Sequence, residues 1–399
     1  MSLPPHLLQA SRIMEEFAAS TGLHPVRPDP ERYLWTDAFA VCTFCGLSET
    51  IGDVAYSRMA VLLVDQVHRT LGRHRRDDKR TGWISGFSEA EGARHPTIGG
   101  LRIGKNLPER GRDEPCDEGL EWDRDGQYFH YLTKWMHALN RVGMVTGDPK
   151  YLRWAVELAR AAHAGFIAAA PDGAGKRMYW KMSIDLRRPL VPSMGQHDPL
   201  DGWVTCRELL AAGAGPDPEQ ERWLMEASED YAALCRNSSL LSGDPLSIGG
   251  LMADAGRIVH LGGGGTGQAE ILERILLSAC TGMEIVLRQG SLALPAESRL
   301  GFRELGLSIG LSAIRNLAAT AGSDPVLKRD PLNRYIRTLA QYLPVKTTIE
   351  EFWMNRRDRN VRTWTDHRWI NEVMLATSLA PEGFLTIRAP GSQRNHLID

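Results

Sequence analysis

The sequence predicts an all-α chain closed into an (α/α)6 toroid of six helical hairpins, with a long lid-like loop and a few short β-pieces. Three observations predict it. Short polar turns built on Asp, often with Pro, recur along the chain, each followed by an amphipathic run. The helices around these turns fall into two compositional sets. Strand signals are sparse.

The turns are Thr146-Gly147-Asp148-Pro149-Lys150-Tyr151, Gly215-Pro216-Asp217-Pro218 and Gly322-Ser323-Asp324-Pro325, with Ile51-Gly52-Asp53 a looser copy. Asp is a good N-cap and Pro is tolerated in a first helical turn, so each reads as helix, tight turn, helix. A first helix spans about 6–20. Helices preceding the turns begin near Asp37, Asp125, Asp201, Ser247, Arg303 and Asp366, and those following run roughly 53–71, 148–168, 218–236, 268–285 and 326–343. The N-terminal helix partners the last of the first set, which makes the count six and six. Lys150–Phe166 alternates apolar and charged faces, as a one-sided outer helix should. Ala38–Leu47 and Ile248–Val259 are rich in Gly, Ala, Cys and Leu with little charge, the composition of inner helices buried on nearly all sides.

Met178–Pro192, Gly82–Phe87 and Phe384–Ala389 are the β-pieces. The segment of about 73–120 is a Gly-, Pro- and charge-rich insertion in one domain spanning 1–399. A loop that long inside a compact domain is usually functional or mobile.

With 47 Lys+Arg against 49 Asp+Glu the net charge is −2, and this near-neutral balance argues against a nucleic-acid partner, which would need a basic face to neutralise phosphates. No apolar stretch approaches the roughly 18 residues of a membrane helix, so no membrane partner is expected either. Met1-Ser2-Leu3-Pro4-Pro5-His6 lacks a basic stretch leading into an apolar run, and the six cysteines suggest no disulfide framework, so the expected compartment is the cytoplasm. Cys42-Thr43-Phe44-Cys45 has metal-like spacing but no second pair and falls in an apolar helix, so both read as core cysteines. Gly262–Gly265 lacks the Lys-Ser/Thr ending of a phosphate loop and reads as a hairpin turn. Neither a metal nor a cofactor is expected.

In a six-hairpin toroid the loops leading into the inner helices converge on one rim. Four of these starts carry Trp and Asp together: Trp35-Thr36-Asp37, Glu121-Trp122-Asp123-Arg124-Asp125-Gly126-Gln127, Gln196-His197-Asp198-Pro199-Leu200-Asp201-Gly202-Trp203, and Trp364-Thr365-Asp366-His367 with Asn371 and Glu372 following. Trp offers a flat face to the C–H side of a sugar ring, and carboxylates accept its hydroxyls. Glycoside cleavage also needs two carboxyls, one a protonated acid and the other a base or nucleophile. Each Asp at a helix start is equally an N-cap.

The candidate acid is Asp123 or Asp125, with Asp37 or Asp198 as base. Trp35, Trp83, Trp122 and Trp364 are candidate stacking faces, and Glu121, Gln127, His130, His197, His367, Asn371 and Glu372 candidate polar contacts. From a helix start near Asp125, Gln127, His130, Tyr131 and Lys134 share one stripe. The basic run Arg73-His74-Arg75-Arg76 reads as a solvated turn or as a contact for an acidic group, and Trp83 as a cover for the cavity or an anchor for the loop.

The hairpin rhythm together with these motifs resembles the six-hairpin glycosidase-like superfamily over nearly the whole chain, without matching one family. That superfamily includes glycoside hydrolases, unsaturated glucuronyl hydrolases and N-acylglucosamine or cellobiose 2-epimerases. The resemblance implies a carbohydrate-active enzyme acting on a small-molecule or oligosaccharide substrate, with hydrolysis favoured by the paired acids. The epimerases imply an alternative in which His130, His197 and His367 supply acid and base. The fold also hosts cyclases, and a non-catalytic binding protein is a further alternative.

Overall fold

The computed structural model describes residues 3–171, 173, 175–213, 218–236, 238–262 and 266–387. The turn at 214–217, the glycines at 263–265 and residues 388–389 of the last expected β-piece lie outside them.

Along the chain, α1 (Pro5–Ser20), α2 (Leu34–Ile51) and α3 (Val54–Leu71) precede the long insertion, which holds the short α4 (Glu89–Arg94) and α5 (Glu118–Glu121). Strand β1 (Gln127–Tyr128) leads into α6 (Phe129–Thr146) and α7 (Lys150–Phe166). A hairpin of β2 (Ile167–Ala169) and β3 (Lys176–Met178) follows, then β4 (Lys181–Met182) and β5 (Pro189–Val191). Next come α8 (Asp198–Ala211), α9 (Pro218–Arg236), α10 (Pro245–Leu261), α11 (Thr266–Gln289), α12 (Gly301–Thr320), α13 (Leu332–Ala340) and α14 (Leu343–Met354). The chain continues through α15 (Arg362–Thr365) and α16 (Arg368–Leu379) to α17 (Glu382–Leu385).

The inner ring closes on itself. Helix α2 packs on α6, α6 on α8, α8 on α10, α10 on α12, α12 on α16, and α16 back on α2. Outside it, α3 covers α2 and α6, α7 covers α6, α9 covers α8, α11 covers α10, and α13 with α14 covers α12. Helix α1 covers α16, which completes the toroid with the first helix of the chain.

At the Asp turns each carboxylate holds an amide two residues on, and of the three Asp53 is the N-cap of its helix, whereas Asp148 precedes the Pro149 cap of α7 and Asp324 opens a turn ahead of α13. Asp53 accepts from Ala55 N at 2.8 Å, Asp148 from Lys150 N at 3.0 Å and Asp324 from Val326 N at 2.7 Å. Gly52 and Gly147 end the preceding helices in the left-handed conformation, at φ 81° and 71°. Cys42 and Cys45 are buried free thiols of the core.

Several expected boundaries move. Helix α6 begins at Phe129 rather than Asp125, because Gln127 and Tyr128 pair with Met182 and Lys181. The fifth outer element is two helices, since Pro344 in the first turn of α14 donates no backbone hydrogen bond and the chain restarts there. Gly82–Phe87 is not a strand; only Trp83 makes an isolated bridge, to Arg73. Phe384 and Leu385 lie in α17, not in a β-piece.

Helices α10 and α12 approach backbone to backbone. A Cβ on Gly249 would lie 2.1 Å from Gly306 O, and one on Gly310 2.4 Å from Gly249 O. Gly249→Ala is therefore expected to destabilise the fold by about 1–3 kcal/mol through overpacking, read as a lower midpoint in thermal or urea unfolding.

The C-terminal segment plugs one end of the ring. Gly383 sits against Cys42 O and Gly46, Phe384 stacks on Phe39 at 4.5 Å, and His137 Nε2 and Arg141 Nε reach Phe384 O and Gly383 O. The other end, where the inner helices start, remains as the mouth. Among the described residues no helix is long and apolar enough to cross a membrane.

Candidate active site

Much of the polar chemistry expected at the mouth is spent on holding the rim together. Asp125 is fully buried. Its Oδ2 accepts from Arg102 Nη1 at 2.5 Å and Arg75 Nη1 at 3.4 Å, and its Oδ1 from the Gly104 and Gly126 amides. Arg102 also donates to Thr70 O and Arg73 O, so this clamp staples the insertion to the end of α3. Gln127, also fully buried, accepts from Leu101 N and donates to Gly99 O and Ile184 O. Glu121 pairs with Arg110 at 3.1 Å and Lys181 at 3.4 Å.

Asp37 accepts from Tyr33 N at 3.0 Å and faces Arg32 at 3.4 Å; burial pushes its carboxyl up to about 6. From within the first turn of α2 it ties back the amide of Tyr33, the residue at which the helix starts. Asp125, Gln127, Glu121 and Asp37 thus lie inside the wall, not on its surface. The basic run is likewise absorbed: Arg73 pairs with Glu89, Arg75 with Asp77 and Asp125, and Arg76 with Asp29.

Two further aromatic assignments change. Trp83 is buried, its ring filling the space beside Gly92 under the Arg73 guanidinium, so it anchors the insertion rather than covering a cavity. Trp364 is buried against Trp353, and with Glu372 it faces outward toward α1 instead of the mouth. Asn371 is fully buried and bridges the start of α12 to α15, accepting from Phe302 N and donating to Trp364 O.

What does meet at the mouth is an arc of rings. Exposed Trp122 stands edge-on to half-buried Trp180 at 4.9 Å; Trp180 lies 5.1 Å from Tyr128 and is nearly parallel to His130 at 6.3 Å. His130 meets Tyr131 at 4.8 Å, and Tyr131 shares a 2.6 Å hydrogen bond with Tyr33 through their hydroxyls. Trp35 follows at 6.5 Å from Tyr131, then Phe302 at 6.4 Å and exposed His367 at 5.7 Å. Lys105 lies over the Tyr33 ring at 5.5 Å. Burial raises Tyr33 to about 12, so its hydroxyl keeps its proton at neutral pH.

Behind the rings of this cup lie acids of α8 and α10, with His130 and Lys134 of α6 beside them. Asp198 in the first turn of α8 is buried, with Oδ1 3.7 Å from His130 Nδ1, beyond hydrogen-bond reach. Neither Asp198 Oδ2 nor His130 Nδ1 has a hydrogen-bond partner among the described residues. Burial, reinforced by the neighbouring Asp201 charge, holds the Asp198 carboxyl well above the usual range despite the Gly195 amide. Burial also lowers His130 to about 4, so the imidazole is neutral at neutral pH.

Asp201, one turn along, stays ionised. Burial opposes its charge, but Lys134 at 2.8 Å and the Arg257 guanidinium hold it below the ordinary value. Asp254 on α10 faces it, pushed up to about 6 by burial and by the Asp201 charge. His197 is turned away, its Nε2 on Leu240 O at 2.9 Å. Asp123 is exposed beside Trp122, close enough for its charge to act on Lys105 and Tyr128.

Of the predicted residues, the structure therefore brings Asp198, His130, Trp35, Trp122, Asp123 and His367 to one mouth. It adds Tyr33, Lys105, Tyr128, Tyr131, Lys134, Trp180, Asp201, Asp254 and Phe302. Asp254 carried a readable signal, as an acid in an otherwise nearly uncharged inner helix. Trp180 and Phe302 carried none. Among the described residues no group of three or more His, Cys, Asp or Glu side chains is placed to hold a metal ion.

No protein-family model matches the chain, and no curated protein matches it. Among solved structures it is similar to the cellobiose 2-epimerase from Spirochaeta thermophila DSM 6192, at 12% identity and a TM-score of 0.46, covering 94% of this chain and 98% of that one. It is also similar to a selenomethionine derivative of the GH76 α-mannanase of Bacteroides thetaiotaomicron, at 9% identity and a TM-score of 0.49, covering 95% and 96%.

Proposed function

We propose that the mouth is the active site of a carbohydrate-active enzyme, and that its chemistry is glycoside hydrolysis with Asp198 as the general acid. The observation that carries this reading is the pair Asp198 and Asp201. Two carboxyls one helical turn apart are pushed in opposite directions, Asp198 toward its protonated form by burial and Asp201 toward its charged form by Lys134. Groups whose surroundings push their proton affinities apart are the signature of acid and base roles.

In this scheme a sugar ring lies against Trp180 and Tyr128. Asp198 gives its proton to the glycosidic oxygen as the C–O bond breaks, and the Asp201 carboxylate stabilises the positive charge that develops on the ring. Asp123, exposed on the same wall, takes a proton from the water that attacks the anomeric carbon. Asp198 then regains a proton from solvent and Asp123 releases the one it took, which resets both carboxyls. A base acting through water gives inversion.

A second reading, sugar epimerisation, is favoured by one observation: the neutral, unpartnered Nδ1 of His130 beside the acids of α8.

A proton NMR time course in D2O, with a panel of oligosaccharides and free sugars, tests both. Hydrolysis predicts new reducing-end anomeric signals, the inverted anomer first. Conversion without cleavage, with loss of a C2 proton, replaces hydrolysis by the epimerase reading. No turnover across the panel overturns both. On the active substrate, Trp180→Ala is expected to raise KM roughly tenfold, about 1.4 kcal/mol, with a smaller change in kcat, because it removes a face of the cup rather than a reacting group.

A further inference from the structure

Away from the mouth, on the outer side of α16, Arg356, Arg357 and Arg359 line, together with residues of α1, an open cavity of about 840 Å³. Four guanidinium groups line it, those of Arg356, Arg357, Arg359 and Arg368, against two carboxyls, Glu16 and Glu372. Arg359 is salt-bridged: its Nη1 donates to both Glu372 oxygens at 3.2 and 3.3 Å, and its Nη2 to Met354 O, while the Arg368 guanidinium lies over the Trp369 ring at 4.5 Å. Its buried Nε has no partner among the described residues.

Arg356, Arg357 and Arg368 are exposed, and among the described residues no acid lies within salt-bridge distance of them. An excess of two positive charges thus surrounds a concave space, on a chain whose net charge is −2.

We infer that this cavity between α1 and the 356–368 segment is a second binding site, for a small ligand carrying phosphate. Guanidinium groups present forked donors that match phosphate oxygens two at a time, and several around one cavity suit a dianion better than a single carboxylate. Ile13 and Trp364 supply the apolar side of the space, which leaves room for a ring attached to the phosphate. The concave shape and limited size favour a small molecule over a nucleic-acid backbone.

The test is calorimetric titration at constant ionic strength with inorganic phosphate, pyrophosphate and glucose 6-phosphate, on the wild type and on Arg356→Gln/Arg357→Gln. The expected result is saturable one-site binding to the wild type, weakened at least tenfold in the double variant, whose unliganded thermal midpoint and sugar turnover are unchanged. Tighter binding of glucose 6-phosphate than of the inorganic ions identifies a sugar phosphate as the source; the reverse order identifies free phosphate or pyrophosphate. Absence of saturable binding by all three probes, equal affinity in the double variant, or an equal response to KCl overturns the inference. The titration does not depend on turnover, so its outcome is separate from that of the mouth.

Discussion

Asp198→Asn is expected to lower kcat/KM by about a hundred- to ten-thousand-fold, the range general acid catalysis supplies. Asn keeps the shape of the side chain but has no proton to give to a leaving oxygen. The fold should not suffer, because the charged form of Asp198 has no ion-pair partner to lose.

The pH dependence carries a definite sign. The folded-state affinity of Asp198 for its proton is raised above the unfolded value, so above the unfolded pKa, about 3.9, the folded state holds a proton that the unfolded state has released. The group therefore costs stability at neutral pH, and the cost disappears below about pH 4. Asp198→Asn should raise the thermal midpoint slightly at pH 7 and leave it unchanged near pH 3. The wild-type kcat/KM should fall on an alkaline limb lying above the ordinary carboxylate range, and that limb should be missing from the residual activity of the variant. An unaltered limb in Asp198→Asn would assign the acid elsewhere.

Glu208→Ala is expected to cost about 3–5 kcal/mol, the effect of breaking a buried charge network at one partner. Glu208 is 1% exposed and accepts from His137 Nδ1 at 2.8 Å, from Asn140 Nδ2 at 2.7 Å and from Arg257. Its removal leaves the buried Arg257 guanidinium without its Glu208 partner, with Asp254 at 3.0 Å and the more distant Asp201 as counter-charges. Spread over the unfolding entropy of a 399-residue chain, that loss corresponds to a midpoint lower by about 4–6 °C.

The network also reaches the plug through His137, whose other nitrogen lies on Phe384 O. Limited proteolysis should therefore cut the 381–387 segment sooner in the variant. Glu208→Leu combined with Arg257→Met should lose less than the sum of its single changes, because neither charge is then left alone. Additive losses would show that the two groups are not coupled.

The architecture was legible because its signals are local. Asp and Pro at a turn, and Gly in the left-handed position after a helix, act within a few residues, so hairpins can be read one at a time. Inner and outer helices differ because burial on all sides removes charge, as in α2 and α10, whereas α7 keeps a charged face.

The site was only half legible, because Asp at a helix start looks the same in sequence whatever its work. Asp37 meets its own helix amide, Asp125 meets an arginine from the insertion, and Asp198 keeps an oxygen, Oδ2, with no hydrogen-bond partner among the described residues. Those fates depend on partners supplied by distant loops. The stripe of His130, Tyr131 and Lys134 was visible because it lies within one helix, while Trp180 and Phe302 join the cup only through tertiary folding. Asn371 and Glu372 are consecutive on one helix and so about 100° apart around it, which sends one into the core and the other to the outer cavity.

The central claim is that sugar chemistry takes place on Asp198 at the open end of the ring. The most direct measurement is a crystal structure of Asp198→Asn with the oligosaccharide that the NMR panel identifies. The account predicts a sugar ring against Trp180, its glycosidic oxygen about 2.6–3.2 Å from the residue-198 side chain. A sugar bound in the arginine-lined cavity beside α1, with the mouth empty, would contradict it.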